Sequence, residues 1–204
     1  REGIKVVVVP KKANITIGRR AWMFVLSAVP AGIAGALAED WITRKLGTPA
    51  LIAISLMVFG VVLVWADRQT GTRDLDSFTT RDALLIGAAQ VLALNPGTSR
   101  SGITITAARK FGFSRDAAAR VSFLMSVPVI GGAVLLKLTK LASDGIPDGL
   151  IIPMIAGIIS AGISGWIAMW GMIRLLRSRS FTPFVMYRFV AGIAVLALLS
   201  TSFR

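Results

Sequence analysis

Residues 83–111 read ALLIGAAQVLALNPGTSRSGITITAARKF. The apolar run 83–94 would be about 18 Å long as a helix at ~1.5 Å per residue, whereas a bilayer core is about 30 Å thick. The second apolar run, 103–111, is shorter still. Between them, Pro96 disfavours helix at Asn95 and removes a backbone donor. We therefore predict a re-entrant hairpin over 83–111, two short helices joined by a polar loop at membrane depth.

The composition of the whole chain indicates an integral membrane protein. Of its 204 residues, 54% are hydrophobic and 16% are charged, and the mean hydropathy is +0.72. A soluble domain has about a quarter charged residues. The predicted fold class is an all-α polytopic membrane protein, a single transmembrane domain over 1–204. It has about five spanning helices besides the hairpin, near 21–38, 49–66, 121–141, 150–173 and 184–203.

The distribution of charge supports the re-entrant interpretation. If 83–111 enters and returns, four connectors with a combined net charge of +10 lie on one side: 1–20, 67–82, 109–120 and 174–179. The other side, with 39–48 and 142–149, has a net charge of −2. The positive-inside rule then predicts that the basic side is cytoplasmic, with the basic 1–20 connector at the membrane surface and the C-terminus outside.

Composition also excludes several kinds of chemistry. The chain has 23 Lys and Arg against 10 Asp and Glu, a formal charge of +13, but the basic residues lie in short connectors. That placement indicates membrane topology and no nucleic-acid partner. Without cysteine or histidine there is no disulfide, thiolate metal site or imidazole base in these residues.

The loop of the predicted hairpin has the residue types of an anion-binding site. Arg100 is flanked by Thr98, Ser99, Ser101 and Thr104, and the second half-helix starts near Ser101. A guanidinium fork, hydroxyls and a helix N-terminus together suit phosphate oxygens. The alternative is that Arg100 pairs with a carboxylate or with carbonyl oxygens and only holds the hairpin together.

Two other polar features have alternative interpretations. Gln90, inside an apolar half-helix, would make either an interhelical hydrogen bond or a contact to a ligand. Glu39, Asp40 and Asp67 lie at the ends of spans, and we expect them to be solvated charges at the interface.

The residues Gln90–Thr104 closely resemble the PGxSRSGxT signature of undecaprenyl-diphosphate phosphatases, the bacitracin-resistance family. The resemblance continues through Ser114–Pro128 and Phe181–Phe189, and spacing and hydropathy agree over essentially the whole chain. It implies a multi-pass hydrolase of the bacterial inner (plasma) membrane that removes one phosphate from undecaprenyl diphosphate. The product is the lipid carrier for peptidoglycan and other envelope polymers.

The resemblance also implies site residues, a cofactor and a fold. Ser99 and Arg100 would be catalytic and would bind the diphosphate. The rest of the diphosphate site would support, shape or flank the loop: Gly97, Thr98, Ser101, Gly102, Thr104 and Gln90. The family depends on a divalent cation, Mg²⁺ or Ca²⁺. Its fold has two inverted repeats, each with a re-entrant helix pair.

This chain departs from the family pattern in one respect. The family's other half-site has a Glu-containing motif and a Ser-Ser-Thr-Gly-His stretch, and neither occurs among these 204 residues. The resemblance therefore implies the C-terminal part of such a fold, lacking the N-terminal portion. We expect the cation ligands in that portion and no metal ligand in this chain.

The expected partners are a polyprenyl diphosphate lipid and the bilayer. Small residues at Ala156, Ser160 and Ser164 would let helices approach closely and would suit a homodimer contact. Two other functions use the same features. One is an anionic-lipid transporter or flippase, because re-entrant hairpins also occur in transporters. The other is an inactive fragment that binds headgroups.

Overall fold

The structure is a computed structural model that describes residues 17–145, 149–176 and 180–201, without the side chains of Ile17, Glu39, Asp40, Thr43 and Lys140. Most of the predicted connector 1–20 lies outside the described residues. The helices are α1 (Ile17–Leu46), α2 (Pro49–Asp67), α3 (Thr80–Gln90), α4 (Arg100–Lys110), α5 (Arg115–Asp144), α6 (Ile151–Leu176) and α7 (Thr182–Ser200). Short 3₁₀ helices occupy Leu75–Ser77 and Val91–Leu94.

Five of these helices, α1, α2, α5, α6 and α7, are long and apolar enough to span a membrane. The described residues contain no strand beyond one isolated bridge between Arg73 and Phe113. The prediction of an all-α polytopic membrane protein is confirmed.

Two spans, α1 and α5, are longer than predicted by more than two turns. The predicted polar turn at 39–48 is helical as far as Leu46, because no glycine or proline follows Gly35 until Gly47. Arg44 and Lys45 lie in the last turn, where positive charge favours the helix dipole. α5 begins six residues before the predicted start at 121, because the Ser114 hydroxyl accepts a hydrogen bond from the N–H of Ala117 at 3.2 Å.

The segment Thr80–Lys110 forms the predicted hairpin. α3 and α4 have 11 residues each, about 16 Å at ~1.5 Å per residue, and they pack against each other between α1, α2 and α5. The beginning and the end of the segment meet. The Phe78 and Phe113 rings are 6.1 Å apart, and the Arg73 guanidinium donates both to Asp82 and to the carbonyl of Phe111. The chain therefore enters and returns at the same face.

The connectors predicted to share one face are brought together by Asp67. Its carboxylate accepts hydrogen bonds from Nε of Arg115 at 2.6 Å and from the N–H of Phe181 at 3.3 Å. Arg109 donates to the Asp67 carbonyl at 3.0 Å. Arg20 forms an ion pair with Asp76 at 2.9 Å, which adds the start of α1 to the same face.

The expectation that Asp67 is a solvated interfacial charge is wrong. Asp67 is 7% exposed and Arg109 is 4% exposed, so both ions are buried. A buried charge needs a partner and hydrogen bonds, and here two arginines and a backbone N–H supply them. The side chains of Glu39 and Asp40 lie outside the described residues.

Asp82 closes the entrance of the hairpin. It accepts from Nη1 and Nη2 of Arg73 at 3.0 and 2.7 Å, and it forms a capping box with Thr79. Burial raises the pKa of the Asp82 carboxyl, but hydrogen bonds from Arg73 and Thr79 outweigh burial, so that the pKa lies below its usual value. The ionised form of Asp82 is therefore the form that stabilises the hairpin.

We predict that Asp82→Asn lowers the free energy of unfolding by about 1–3 kcal/mol at neutral pH. The carboxyl has a pKa of about 3.9 in the unfolded chain and a lower one in the folded chain, so its contribution is present above about pH 4 and is lost as the pH falls through the folded value. Melting temperatures of both proteins in detergent, measured as a function of pH, should converge in acid. A difference that stays constant down to about pH 2 would contradict the assignment.

Candidate anion-binding site

The loop 95–99 places Ser99 at the start of α4. Ser99 is the N-cap of that helix, and its hydroxyl accepts from the N–H of Gly102 at 3.3 Å. Its φ of 67° lies in the left-handed region, which costs a non-glycine residue about 1–3 kcal/mol and is frequent at functional sites. The N–H groups of Arg100 and Ser101, which precede the first intrahelical bond, point toward the loop.

The helix α2 supports the loop from one side. The Asn95 amide donates to the hydroxyls of Ser55 on α2 and of Thr98, both at 3.0 Å. Gly97 has a φ of +90°, and a Cβ at this position would lie 2.3 Å from the carbonyl oxygen of Ile52. Only glycine permits this approach, so the loop backbone lies directly against α2.

The helix α5 supports the first turn of α4 from the other side. The Thr104 hydroxyl lies 2.7 Å from the hydroxyl of Ser122 on α5 and 2.9 Å from the carbonyl oxygen of Arg100. Thr104 and Ser122 are 1% and 4% exposed. This buried pair fixes α4 against α5.

The side chain of Arg100 is half-buried and weakly held. Its Nη1 lies 3.5 Å from the carbonyl oxygen of Ser126 on α5, longer than the usual 2.7–3.2 Å of such bonds. Among the described carboxylates, none forms an ion pair with Arg100. The geometry therefore favours a ligand-binding guanidinium over one that only holds the hairpin.

A second arginine, which the sequence analysis missed, contacts the same helical turn. Arg188 on α7 is 8% exposed, and its Nη1 has no hydrogen-bond partner in the described part of the chain. A Cβ at Gly102 would lie 2.5 Å from its Nη2, so the guanidinium rests on the first turn of α4. The signal was available: an arginine inside an apolar span costs about 2.5–3.5 kcal/mol on insertion scales and marks a functional site by default.

Gln90 is 2% exposed, and neither its Nε2 nor its Oε1 has a hydrogen-bond partner among the described residues. The predicted interhelical hydrogen bond from Gln90 is therefore not found among the described residues. Gln90 and Arg100 line the same cavity, so the structure brings this predicted residue to the predicted site. The predicted residues 97–102, with Thr104, form the loop and the first turns of α4.

The site contains guanidinium groups, hydroxyls and an amide. Mg²⁺ and Ca²⁺ prefer several carboxylate or carbonyl oxygens. Within residues 17–145, 149–176 and 180–201, no group of three or more acidic, histidine or cysteine side chains could hold a metal ion. The described residues therefore fit an anion and do not by themselves fit a divalent cation.

Comparison with known proteins gives a consistent result. The family model described as bacitracin resistance protein BacA matches residues 5–194. The chain belongs to this family. Similar proteins named undecaprenyl-diphosphatase occur in Hahella chejuensis (45% identity), Geobacter sulfurreducens (47%) and Elusimicrobium minutum (42%). The matches cover 89%, 89% and 88% of this chain and 68%, 68% and 67% of those proteins.

Membership of the BacA family confirms the resemblance seen in Gln90–Thr104. Together with the five apolar helices, it identifies a multi-pass bacterial membrane protein. The roles of the individual site residues stay predictions.

We predict that Gly97→Ala lowers the free energy of unfolding by at least about 1–3 kcal/mol, because it adds a left-handed alanine and a contact with the Ile52 carbonyl. Gly131→Ala on α5 is the matched control, since a Cβ there meets nothing within 4 Å. Chemical or thermal unfolding in detergent measures both. Equal stability of the two variants would contradict the described contact between the loop and α2.

Proposed function

We propose that this chain carries the phosphate-binding part of an undecaprenyl-diphosphate phosphatase, which hydrolyses undecaprenyl diphosphate to undecaprenyl phosphate and inorganic phosphate. Its membership of the BacA family and the names of its relatives support this activity. The observation that carries the assignment to residues is the partly buried turn at Ser99–Gly102, beside which the guanidinium groups of Arg100 and Arg188 lack strong partners.

The first turn of α4 is suited to the terminal phosphate of the substrate. The free N–H groups and the positive end of the helix dipole favour an anion, and the guanidinium groups of Arg100 and Arg188 add two full positive charges. Arg188 is buried and Arg100 is half-buried, and charge interactions are stronger in such positions than at a fully exposed surface. A diphosphate would satisfy the charges that the structure leaves unpaired.

Hydrolysis of a phosphoanhydride requires mainly that the protein positions the terminal phosphate and stabilises negative charge on its oxygens. In the net reaction the bond from the terminal phosphorus to the bridging oxygen breaks, and the bridging oxygen leaves with undecaprenyl phosphate. The terminal phosphorus gains the oxygen of one water, whose protons pass to phosphate oxygens and to solvent. Arg100 and the N–H groups of α4 would hold the terminal phosphate, while Ser99, whose strained backbone presents its hydroxyl at the loop, would orient it. Thr98, Ser101 and Thr104 would maintain the loop.

The position of the site suits a lipid substrate. The loop lies at the tip of a hairpin enclosed by spanning helices, so a prenyl chain can stay in the bilayer while the diphosphate reaches the loop. Removal of the terminal phosphate regenerates the monophosphate carrier for envelope synthesis. The same activity is expected to raise resistance to bacitracin, the property named in the description of the family.

A divalent cation, Mg²⁺ or Ca²⁺, is a further expectation from the family resemblance. When bound, such an ion would neutralise charge on the phosphate oxygens. The described site offers no carboxylate cluster that could hold such an ion.

A homodimer through α6 also stays a proposal. Apart from Leu176 the described side chains of α6 are not buried, and Ala156, Ser160 and Ser164 leave room for a second helix. The oligomeric state in native nanodiscs would test it.

We predict that Arg100→Ala lowers phosphate release from undecaprenyl diphosphate by about 100–1,000-fold, the usual effect of removing a donor to a developing oxyanion. Membrane insertion should be unchanged, because Arg100 contributes little to the packing of the hairpin. The measurement is inorganic phosphate released by the full gene product in proteoliposomes.

Arg81→Ala is the matched control, because Arg81 is an exposed arginine at the start of α3, at the other end of the hairpin. Near-normal turnover of Arg100→Ala would refute the assignment of the site. Lipid translocation by the unaltered protein without phosphate release would instead favour a transporter.

A further inference from the structure

A cavity of about 380 Å³, separate from the one beside Arg100, lies between α5 and α6. Its volume is within the range of roughly 300–1,000 Å³ that ligand pockets occupy. Two of its four lining residues are arginines, and among the described residues no acidic side chain lines it. The lining residues are Arg120, Trp170, Ile173 and Arg174. The cavity is therefore suited to an anion.

The cavity lies at the basic face of the protein, near the ends of two spanning helices. Arg120 is in the second turn of α5, five residues after Arg115, which pairs with Asp67 at this face. Leu176, two residues after Arg174, belongs to the buried cluster that also contains Phe181. Both arginines are therefore at the level of lipid headgroups, on the face that the positive-inside rule predicts to be cytoplasmic.

The two guanidinium groups are available to a ligand. Arg174 is exposed, and its Cζ lies over the ring of Trp170 at 5.3 Å from the ring centroid, which orients the group. No described carboxylate forms an ion pair with Arg174. Arg120 pairs through Nε with Asp116 at 2.6 Å. Since a guanidinium has five N–H donors, Arg120 can bind an anion while it keeps this pair.

The helix faces that carry these side chains continue as apolar stripes. Large exposed apolar side chains follow Arg120 along α5 and precede Trp170 along α6 at helical spacing. Those on α5 are Leu124, Val127 and Val134, and those on α6 are Ile159, Ile163 and Ile167. A soluble anion has no apolar part that could cover such stripes, whereas a phospholipid has both a phosphate and acyl chains.

We propose that this cavity binds the headgroup of an anionic phospholipid, with its phosphate between Arg120 and Arg174 and an acyl chain along the apolar stripes. Guanidinium groups match phosphate oxygens bidentately, and tryptophan is frequent at headgroup level. Basic pockets between spanning helices on the cytoplasmic side of a membrane are known to bind anionic headgroups. The inference does not rest on the phosphatase activity, because the cavity uses no residue of the candidate anion-binding site.

Lys110 provides a matched control for Arg174. It is exposed at the end of α4, on the same face, and its Nζ lies 4.7 Å from the centroid of the Trp65 ring. Lys110 does not line the cavity between α5 and α6. Arg174→Gln and Lys110→Gln thus each remove one exposed positive charge beside a tryptophan, and they differ in whether that charge lies at the cavity.

The first measurement is the affinity of the full gene product for phosphatidylglycerol, from the retention of single lipid molecules in native mass spectrometry. Phosphatidylcholine with the same acyl chains is the lipid control. We expect Arg174→Gln to weaken the binding of phosphatidylglycerol about 10–100-fold, because it removes a hydrogen-bonded charge from the phosphate. Lys110→Gln should weaken it about fivefold or less, through loss of the general attraction to anionic lipid.

Two results of this measurement would overturn the proposal. One is equal affinity of Arg174→Gln and Lys110→Gln for phosphatidylglycerol. The other is equal affinity of the unaltered protein for the two lipids, since that would reflect the apolar stripes alone. If Arg174→Gln does not fold, Arg120→Gln replaces it, because Arg120 lines the same cavity.

The second measurement locates the lipid. A photoreactive phosphatidylglycerol, with its reactive group on one acyl chain and in an excess of phosphatidylcholine, should crosslink to residues 120–134 or 159–174 of the full gene product. Arg174→Gln should lower the yield of this product, and Lys110→Gln should not. Crosslinking confined to other helices would refute the position. A second copy or another protein segment seated on the cavity would exclude the lipid, so absence of any crosslink to α5 and α6 would also overturn the proposal.

Discussion

The enclosure of the loop 95–99 is the constraint on which the rest of the structure depends. Non-helical backbone at membrane depth is tolerated only where protein or a wet cavity satisfies its polar groups. Asn95 bonds to Ser55, Gly97 lies against the Ile52 carbonyl, and Thr104 bonds to Ser122. Through these contacts, α2 and α5 supply partners for polar groups of the loop and of the first turns of α4. They leave the guanidinium groups and the Gln90 amide as the groups without strong partners.

At the opposite end of the hairpin, the charged side chains form ion pairs. Asp67 is paired with both Arg109 and Arg115, and Arg73 is paired with Asp82. The Asp67 pairs, together with the hydrogen bond from the Phe181 N–H, hold α2, α4, α5 and the start of α7 together. Arg100 and Arg188, by contrast, stand on helices of the same bundle without a carboxylate partner among the described residues. The paired charges at one end of the hairpin stabilise the fold, and the guanidinium groups without a carboxylate partner at the other end are available to bind a ligand.

The hairpin was predictable from sequence because two apolar runs, each too short to cross the membrane, surround a proline and a glycine. In addition, the basic connectors lie on one side of the membrane only if the chain returns to the side from which it entered. The loop residues were predictable for the same reason. Arg188 could be singled out as an arginine inside an apolar span, but its position beside the loop could not be predicted, since no local pattern shows that α7 packs on α2 and brings residue 188 to Gly102. The burial of Asp67 was missed because its partners are 42 to 114 residues away in the chain. Contacts of that range arise from tertiary packing, which hydropathy does not encode.

The central claim is that the first turn of α4 binds a phosphate between two arginines from different helices. The most direct measurement is the affinity of the full gene product for a non-hydrolysable prenyl methylene-diphosphonate, compared between the unaltered protein and Arg188→Gln. We expect the affinity to fall about tenfold or more, because the change removes a buried charge-assisted contact. The same change at the exposed Arg81 should have no such effect. Equal affinity of Arg188→Gln and the unaltered protein would contradict the account.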